Sequence, residues 1–309
     1  MDKEIITVQG RISYKDLGLA DAHNHLWITG QDVPAITAPV LEEQELIERE
    51  LIAYRQAGGG AQLDCQPGGA GRDGNQLSKL SARTDVHIVA CTGFHLKEYY
   101  PAGYKIWQMD PSQAADYLLS EIGGGLEETR HKTPVYPGFI KIAVRENLEA
   151  SPLGLLEAAC AANQESGLMV EMHTEKGLDL ENILAYLEDK ELEPGRLVIC
   201  HIDKRPDSGL HKELARAGYM LEYDTFFRPK YEPEKNLWPL IREMVEAGYS
   251  QSIALATDLA DSAMWKHLGR GPGLPGFINL IKQRLDVEIK DPGIVGQLIG
   301  GNIAERLAI

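Results

Sequence analysis

Residues 20–26 read ADAHNHL, and the fold turns on whether this stretch is a strand. Extended backbone alternates its side chains between two faces, so His23 and His25 would project from the same side. Two imidazoles one strand period apart can grip one metal ion, although a His-x-His taken alone recurs by chance. Working outward, further apolar runs stand at 61–65 (AQLDC), 86–93 (VHIVACTG), 138–144 (GFIKIAV), 168–173 (LMVEMH), 196–201 (RLVICH), 219–224 (YMLEYD) and 252–258 (SIALATD). Helical patterns fall between them, at 41–59, just before 86, near 111–123, at 151–166, near 178–190, at 208–217 and near 234–247. Two more helices, near 276–285 and 291–308, finish the chain.

Runs such as LMVEM and SIALA are apolar without clean alternation, as expected of strands covered on both faces. Eight strand–helix units predict an α/β fold, a (β/α)8 TIM barrel, entered through a short hairpin over residues 4–19. An open doubly wound sheet is the alternative, but no Gly-x-Gly-x-x-Gly follows the first strand. Without a composition break or low-complexity linker, residues 1–309 read as one domain.

The 309 residues are 43% hydrophobic and 25% charged, with a formal net charge of −15. That charge argues against nucleic acid or an anionic membrane as the main partner, since both attract basic surfaces. The first residues carry no secretory h-region and no stretch is apolar enough to span a bilayer, so a cytoplasmic location is expected. Cys65, Cys91, Cys160 and Cys200 form no Cys-x-x-Cys pair and read as buried reduced thiols.

In the barrel, the C-terminal strand ends would carry His23, His25, Lys141, His173, His201 and Asp258, at the rim where such barrels place their active sites. His87, His95, His131, His211 and His267 do not fall at strand ends in the same way. Singly, a strand-end His is commonly a rim residue, and Asp258 after Thr257 could cap a helix. Lys141, flanked by Phe139, Ile140 and Ile142, is harder to dismiss, because a buried amine is costly unless paired or modified.

On these residues the chain resembles the phosphotriesterase family of the amidohydrolase superfamily. The resemblance runs from the hairpin and first His-x-His through GRD (71–73), TGF (92–94), GFIKIA, the two later histidines and Thr257-Asp258 to the closing GNIAERL. It looks like the branch that hydrolyses phosphorylated sugar lactones, chiefly through GFHLKEYYP and YDTFFRPKY. The resemblance implies two divalent metals, usually zinc, with manganese or cobalt also open. His23, His25 and Asp258 would hold the more buried ion, and His173 and His201 the more exposed one. Lys141, carboxylated on its amine, would bridge both. Burial would favour that modification by lowering the Lys141 pKa toward the neutral amine. A metal-bridging hydroxide would attack the substrate, and Asp258 would accept its proton.

Two departures bear on substrate. Asn24 stands where many relatives carry Glu, and it should point away from the metals. His95 and Thr225 stand where quorum-sensing lactonases place Tyr and Arg, which marks down an acyl-homoserine lactone. Around the rim, His95, Tyr99, Lys204, Arg205, Arg228, Lys230 and Tyr231 are candidate substrate contacts. Basic residues there, in so acidic a chain, favour a small anionic substrate. The Gly-rich QPGGAGRDGNQ (66–76) reads as a flexible rim loop rather than a phosphate cradle, with Asp73 anchoring Arg72. A phosphotriesterase or other ester hydrolase is the runner-up. A mononuclear deaminase, hinted at by His173-Thr174-Glu175, and a binder without turnover rank below it. A homodimer is expected by resemblance.

Overall fold

The computed structural model describes residues 3–30 and 39–309. An antiparallel hairpin, β1 (Glu4–Thr7) and β2 (Gly10–Ser13), precedes eight parallel strands. These are β3 (Ala20–Asn24), β4 (Ala61–Asp64), β5 (His87–Gly93), β6 (Phe139–Ala143), β7 (Val170–His173), β8 (Leu197–Ile199), β9 (Met220–Tyr223) and β10 (Ile253–Leu255), each paired with its sequence neighbour. Helices α1 (Gln44–Gln56), α2 (Gly74–Thr84), α3 (Pro111–Gly124), α4 (Leu153–Ser166), α5 (Leu180–Asp189), α6 (Ser208–Ala217) and α7 (Leu237–Glu246) follow β3 to β9 in turn. The architecture is the (β/α)8 barrel.

Side chains complete the closure between β3 and β10. Asp21 accepts from the Thr257 amide (3.0 Å) and hydroxyl (2.6 Å), while the Asp258 amide donates to the His23 carbonyl at 3.0 Å. Asn24, fully buried, donates to Asp21 (2.9 Å) and Gln62 (2.8 Å) and accepts from the Leu259 amide at 2.9 Å. It is therefore part of the barrel wall, turned away from the rim. The bottom is plugged by Ile5 of the hairpin, Leu17, Ile303 and Leu307, stacked under Phe139, Met169, Val198 and Met220.

Local chemistry sets the helix boundaries. Asp110 and Gln113 form a capping box around Pro111, and Asp207 accepts from the Gly209 and Leu210 amides to start α6. The C-terminal helices are shorter than their periodicity predicts: α8 (Gln283–Glu288), α9 (Pro292–Gly296) and α10 (Asn302–Leu307) are joined or preceded by π-turns. The interruption within 291–308 lies at Ile299 and Gly300, where φ reaches 149° and an added Cβ would sit 2.6 Å from the Gly18 carbonyl. Close packing against the chain entering β3 breaks the helix there.

The Gly-rich stretch departs from expectation. It is mostly buried, and its last residues form the first turn of α2, which Asp73 caps through the Asn75 and Gln76 amides. Arg72 is held instead by Glu121 and Glu128. A buried guanidinium needs charged partners, and those lie on α3 and in the turn after it. Among the described residues, no helix is long and apolar enough to cross a membrane, and all four cysteines are free and buried.

Candidate metal centre

The site lies at the C-terminal rim and is built from five strands. His23, at the end of β3, meets Glu171 Oε1 at 2.9 Å and Glu222 Oε2 at 3.1 Å through Nδ1, so that Nε2 faces Asp258 Oδ1 at 4.0 Å. His25 meets Gln66 Oε1 at 2.7 Å through Nδ1 and places Nε2 3.5 Å from Asp258 Oδ1. His173 closes β7, with Nδ1 3.0 Å from Nε2 of His201. His201 and Asp258 lie beyond their strands with left-handed backbones (φ 61° and 45°), conformations uncommon for residues other than glycine. Asp224 pairs with His201 Nδ1 from behind.

Lys141 is fully buried in the middle of β6. Gly93 lets β5 run against it, because a Cβ there would sit 1.9 Å from the Lys141 carbonyl, and φ is 120°. Lys141 Nζ donates to Glu171 Oε1 at 3.1 Å and lies 3.4 Å from His23 Nε2. The expected lowering by burial is opposed by this ion pair. Burial pulls its pKa down, but the carboxylates of Glu171 and Glu222 act against burial and hold it above the ordinary value.

The imidazoles differ in charge state. Burial, reinforced by Lys204, keeps His201 well below its usual pKa, and burial also lowers His173 despite Glu175. Both are therefore neutral at physiological pH, as a metal ligand must be. Burial opposes the charge on His23 too, but Glu222 and Glu171 prevail and raise its pKa to about 10. Burial pushes Asp258 up, yet the His25 hydrogen bond and the charge of Arg228 hold it well below the carboxylate range.

Three groups of donor atoms lie close enough to share an ion, each within 4.8 Å: His23, His25 and Asp258; His201, Asp224 and Asp258; and His23, Glu171, Cys200 and Glu222. One buried oxygen each of Glu171, Glu222 and Asp224 makes no hydrogen bond, which fits an acidic environment organised for cations. Sequence reasoning missed Glu171, Glu222, Asp224 and Gln66. The signal was present for three of them. Glu171 precedes His173 by one strand period, and Glu222 precedes Asp224 in the same way, so each lies on the interior face.

A cavity of ≈ 180 Å³ opens over these groups, with His95, Tyr99 and Arg228 in its wall. Tyr100 fixes the approach by accepting from the His95 amide at 2.9 Å, and Arg228 donates to Asp258 Oδ2 at 2.6 Å. Lys204, Arg205, Lys230 and Tyr231 stand outside that wall. Arg205 turns away to Glu181 (3.0 Å) and the Gly177 carbonyl (3.0 Å). Lys204 and Lys230 both lie over the Tyr231 ring, at 5.7 and 4.9 Å. A larger cavity, ≈ 600 Å³, opens at the other end of the barrel beside Tyr14, Lys15 and Arg306 and contains none of this chemistry.

Residues 3–272 match the model of the phosphotriesterase family. The chain belongs to that family. It is accordingly a metal-dependent hydrolase. Among family relatives, a phospho-furanose lactonase from Mycoplasmopsis synoviae is 24% identical over 88% of this chain and 80% of its own length. An aryldialkylphosphatase from Saccharolobus solfataricus is 23% identical, covering 82% of this chain and 81% of that protein. A lactonase structure from Listeria monocytogenes superposes with a TM-score of 0.89 at 23% identity, covering 98% of both chains, a likeness of fold.

Proposed function

We propose that the chain is a binuclear metal-dependent lactonase that opens a small phosphorylated sugar lactone. The observation that supports this reading is the clustering of His23, His25, His173, His201 and Asp258 at the rim, beside the guanidinium of Arg228, with the Lys141 amine below them at 3.4 Å from His23 Nε2. His23, His25 and Asp258 would hold the inner ion, His173 and His201 the outer one, and Lys141 as a carbamate would link them. Two divalent ions there, zinc being the natural choice for this donor set, would supply a hydroxide near neutral pH and polarise the scissile carbonyl.

The chain's own residues do the rest. Arg228 keeps Asp258 ionised, the state a proton acceptor needs. His95 and Tyr99 bound the lactone ring, and the cations of Arg228, Lys204 and Lys230 draw the anionic end toward the mouth. The cavity is smaller than the roughly 300–1,000 Å³ of drug-sized pockets, which favours a compact substrate. The related phospho-furanose lactonase supports the same substrate class.

A screen that follows proton release tests the reading, using lactones with and without phosphate alongside an organophosphate triester. Phosphorylated lactones should turn over fastest. Faster turnover of the triester, or no turnover of any lactone, would reject the proposal.

A further inference from the structure

We infer that Glu171 and Glu222 are positioning residues for His23, fixing the ring tautomer that presents Nε2 to the inner ion; this rests on the metal-centre reading above. The interior faces of β7 and β9 change character along their length. Met169 and Met220 lie in the apolar floor, Glu171 and Glu222 come one strand period higher, and His173 and Asp224 follow at the rim. Between floor and rim, two fully buried carboxylates from the strands flanking β8 therefore meet at His23 Nδ1, 2.9 Å from Glu171 and 3.1 Å from Glu222.

Nitrogen held against two carboxylates carries the proton, so Nδ1–H donates downward and the Nε2 lone pair is left for metal. A carboxylate behind a ligating imidazole fixes the ring and raises its donor strength. Glu171 reaches further, taking Lys141 Nζ at 3.1 Å on the same oxygen, and so ties together two prospective ligands of the inner ion from below. Its other oxygen makes no hydrogen bond, and Glu222 Oε1 has only the His23 Nδ1 contact at 3.1 Å. A buried acceptor left unpaired is costly, and an apolar pair would pack this layer at lower cost. Their presence calls for a role outside stability.

The same layer could be imagined as a further metal site, since His23, Glu171, Cys200 and Glu222 cluster within 4.8 Å. Its occupancy argues otherwise. The Lys141 amine already fills the space, 3.8 Å from Cys200 Sγ, and the Cys65 and Cys200 thiols donate to Glu171 Oε1 at 3.0 and 3.4 Å.

The test is chelator competition on cobalt-loaded protein, read by the visible spectrum, for wild type, Glu222→Gln and Glu171→Gln. Each variant should weaken the inner ion by roughly 10–100-fold while the outer ion changes far less. A role confined to stability would lower the unfolding midpoint and leave both affinities unchanged, and that result in a folded variant overturns the inference. A third ion accompanied by thiolate-to-cobalt charge transfer overturns it as well. Should the variants fail to fold, nitrogen-15 NMR of the zinc-loaded wild type decides: a proton on His23 Nδ1 supports the assignment, and a bare Nδ1 refutes it. Wild-type protein that binds no ion overturns the metal-centre reading itself. Two ions in wild type with unchanged affinity in Glu222→Gln overturns this inference alone.

Discussion

Arg72 and Lys141 are both buried cations paired with glutamates, yet they are held in opposite ways. Arg72 is saturated: Glu121 and Glu128 each accept two of its hydrogen bonds and the Cys91 carbonyl accepts another at 2.8 Å. Glu121 also accepts from Thr92 (2.6 Å) and the Glu127 amide (2.9 Å), so the cluster satisfies itself. Lys141 has one hydrogen bond of ordinary length, to Glu171, with a histidine nitrogen and a sulfur at longer range. Saturation makes a buried charge structural. Incompleteness, next to other groups with unused lone pairs, makes it reactive.

The sharpest way to break that contrast is to remove each cation. Lys141→Ala should cut lactone turnover by on the order of 10⁴-fold, about 5.5 kcal/mol, while the variant stays folded. Added short carboxylates should restore part of the rate, and steady-state kinetics with and without them checks both points. Arg72→Met should do the reverse, costing about 3–5 kcal/mol in denaturant unfolding because it strands Glu121.

Histidines repeat the contrast. His211 is saturated by the Tyr223 hydroxyl (2.7 Å) and the Arg205 carbonyl (2.9 Å), whereas His201 keeps Nε2 against another imidazole. Burial lowers the His211 pKa from 6.5 to about 4. Between those values the unfolded chain binds the extra proton, so this contribution is intact above pH 6.5 and lost as pH falls toward 4. The loss should reach about 3 kcal/mol in unfolding titrations, and His211→Gln should flatten that part of the profile. Smallest is the rim: Arg228→Ala should lower kcat/KM for phosphorylated lactones by roughly 30-fold, about 2 kcal/mol. It should affect neutral lactones less, and paired kinetics on the two substrates checks the difference.

The sequence disclosed the barrel because strand and helix periods differ and each unit stayed short enough to show its own. It disclosed the histidine and aspartate candidates because each stands at or just past an apolar run, and Lys141 because it is a charge inside one. Glu171 and Glu222 lie among apolar residues without a motif to mark them, although their spacing from His173 and Asp224 puts them on the interior face. Long side chains were least legible. Arg72 reaches past its neighbour Asp73 to two distant glutamates, and Arg205 leaves the rim for Glu181. Chain position locates a Cα, but a guanidinium several bonds away goes where an unpaired carboxylate lies. The Lys141–Glu171 pair was hidden for a related reason, because the two residues stand on different strands.

The most direct measurement is metal content per chain, by elemental analysis of protein loaded with zinc and freed of excess. The account predicts close to two ions per chain in wild type and a clear deficit in Lys141→Ala. One ion or none in wild type would contradict it.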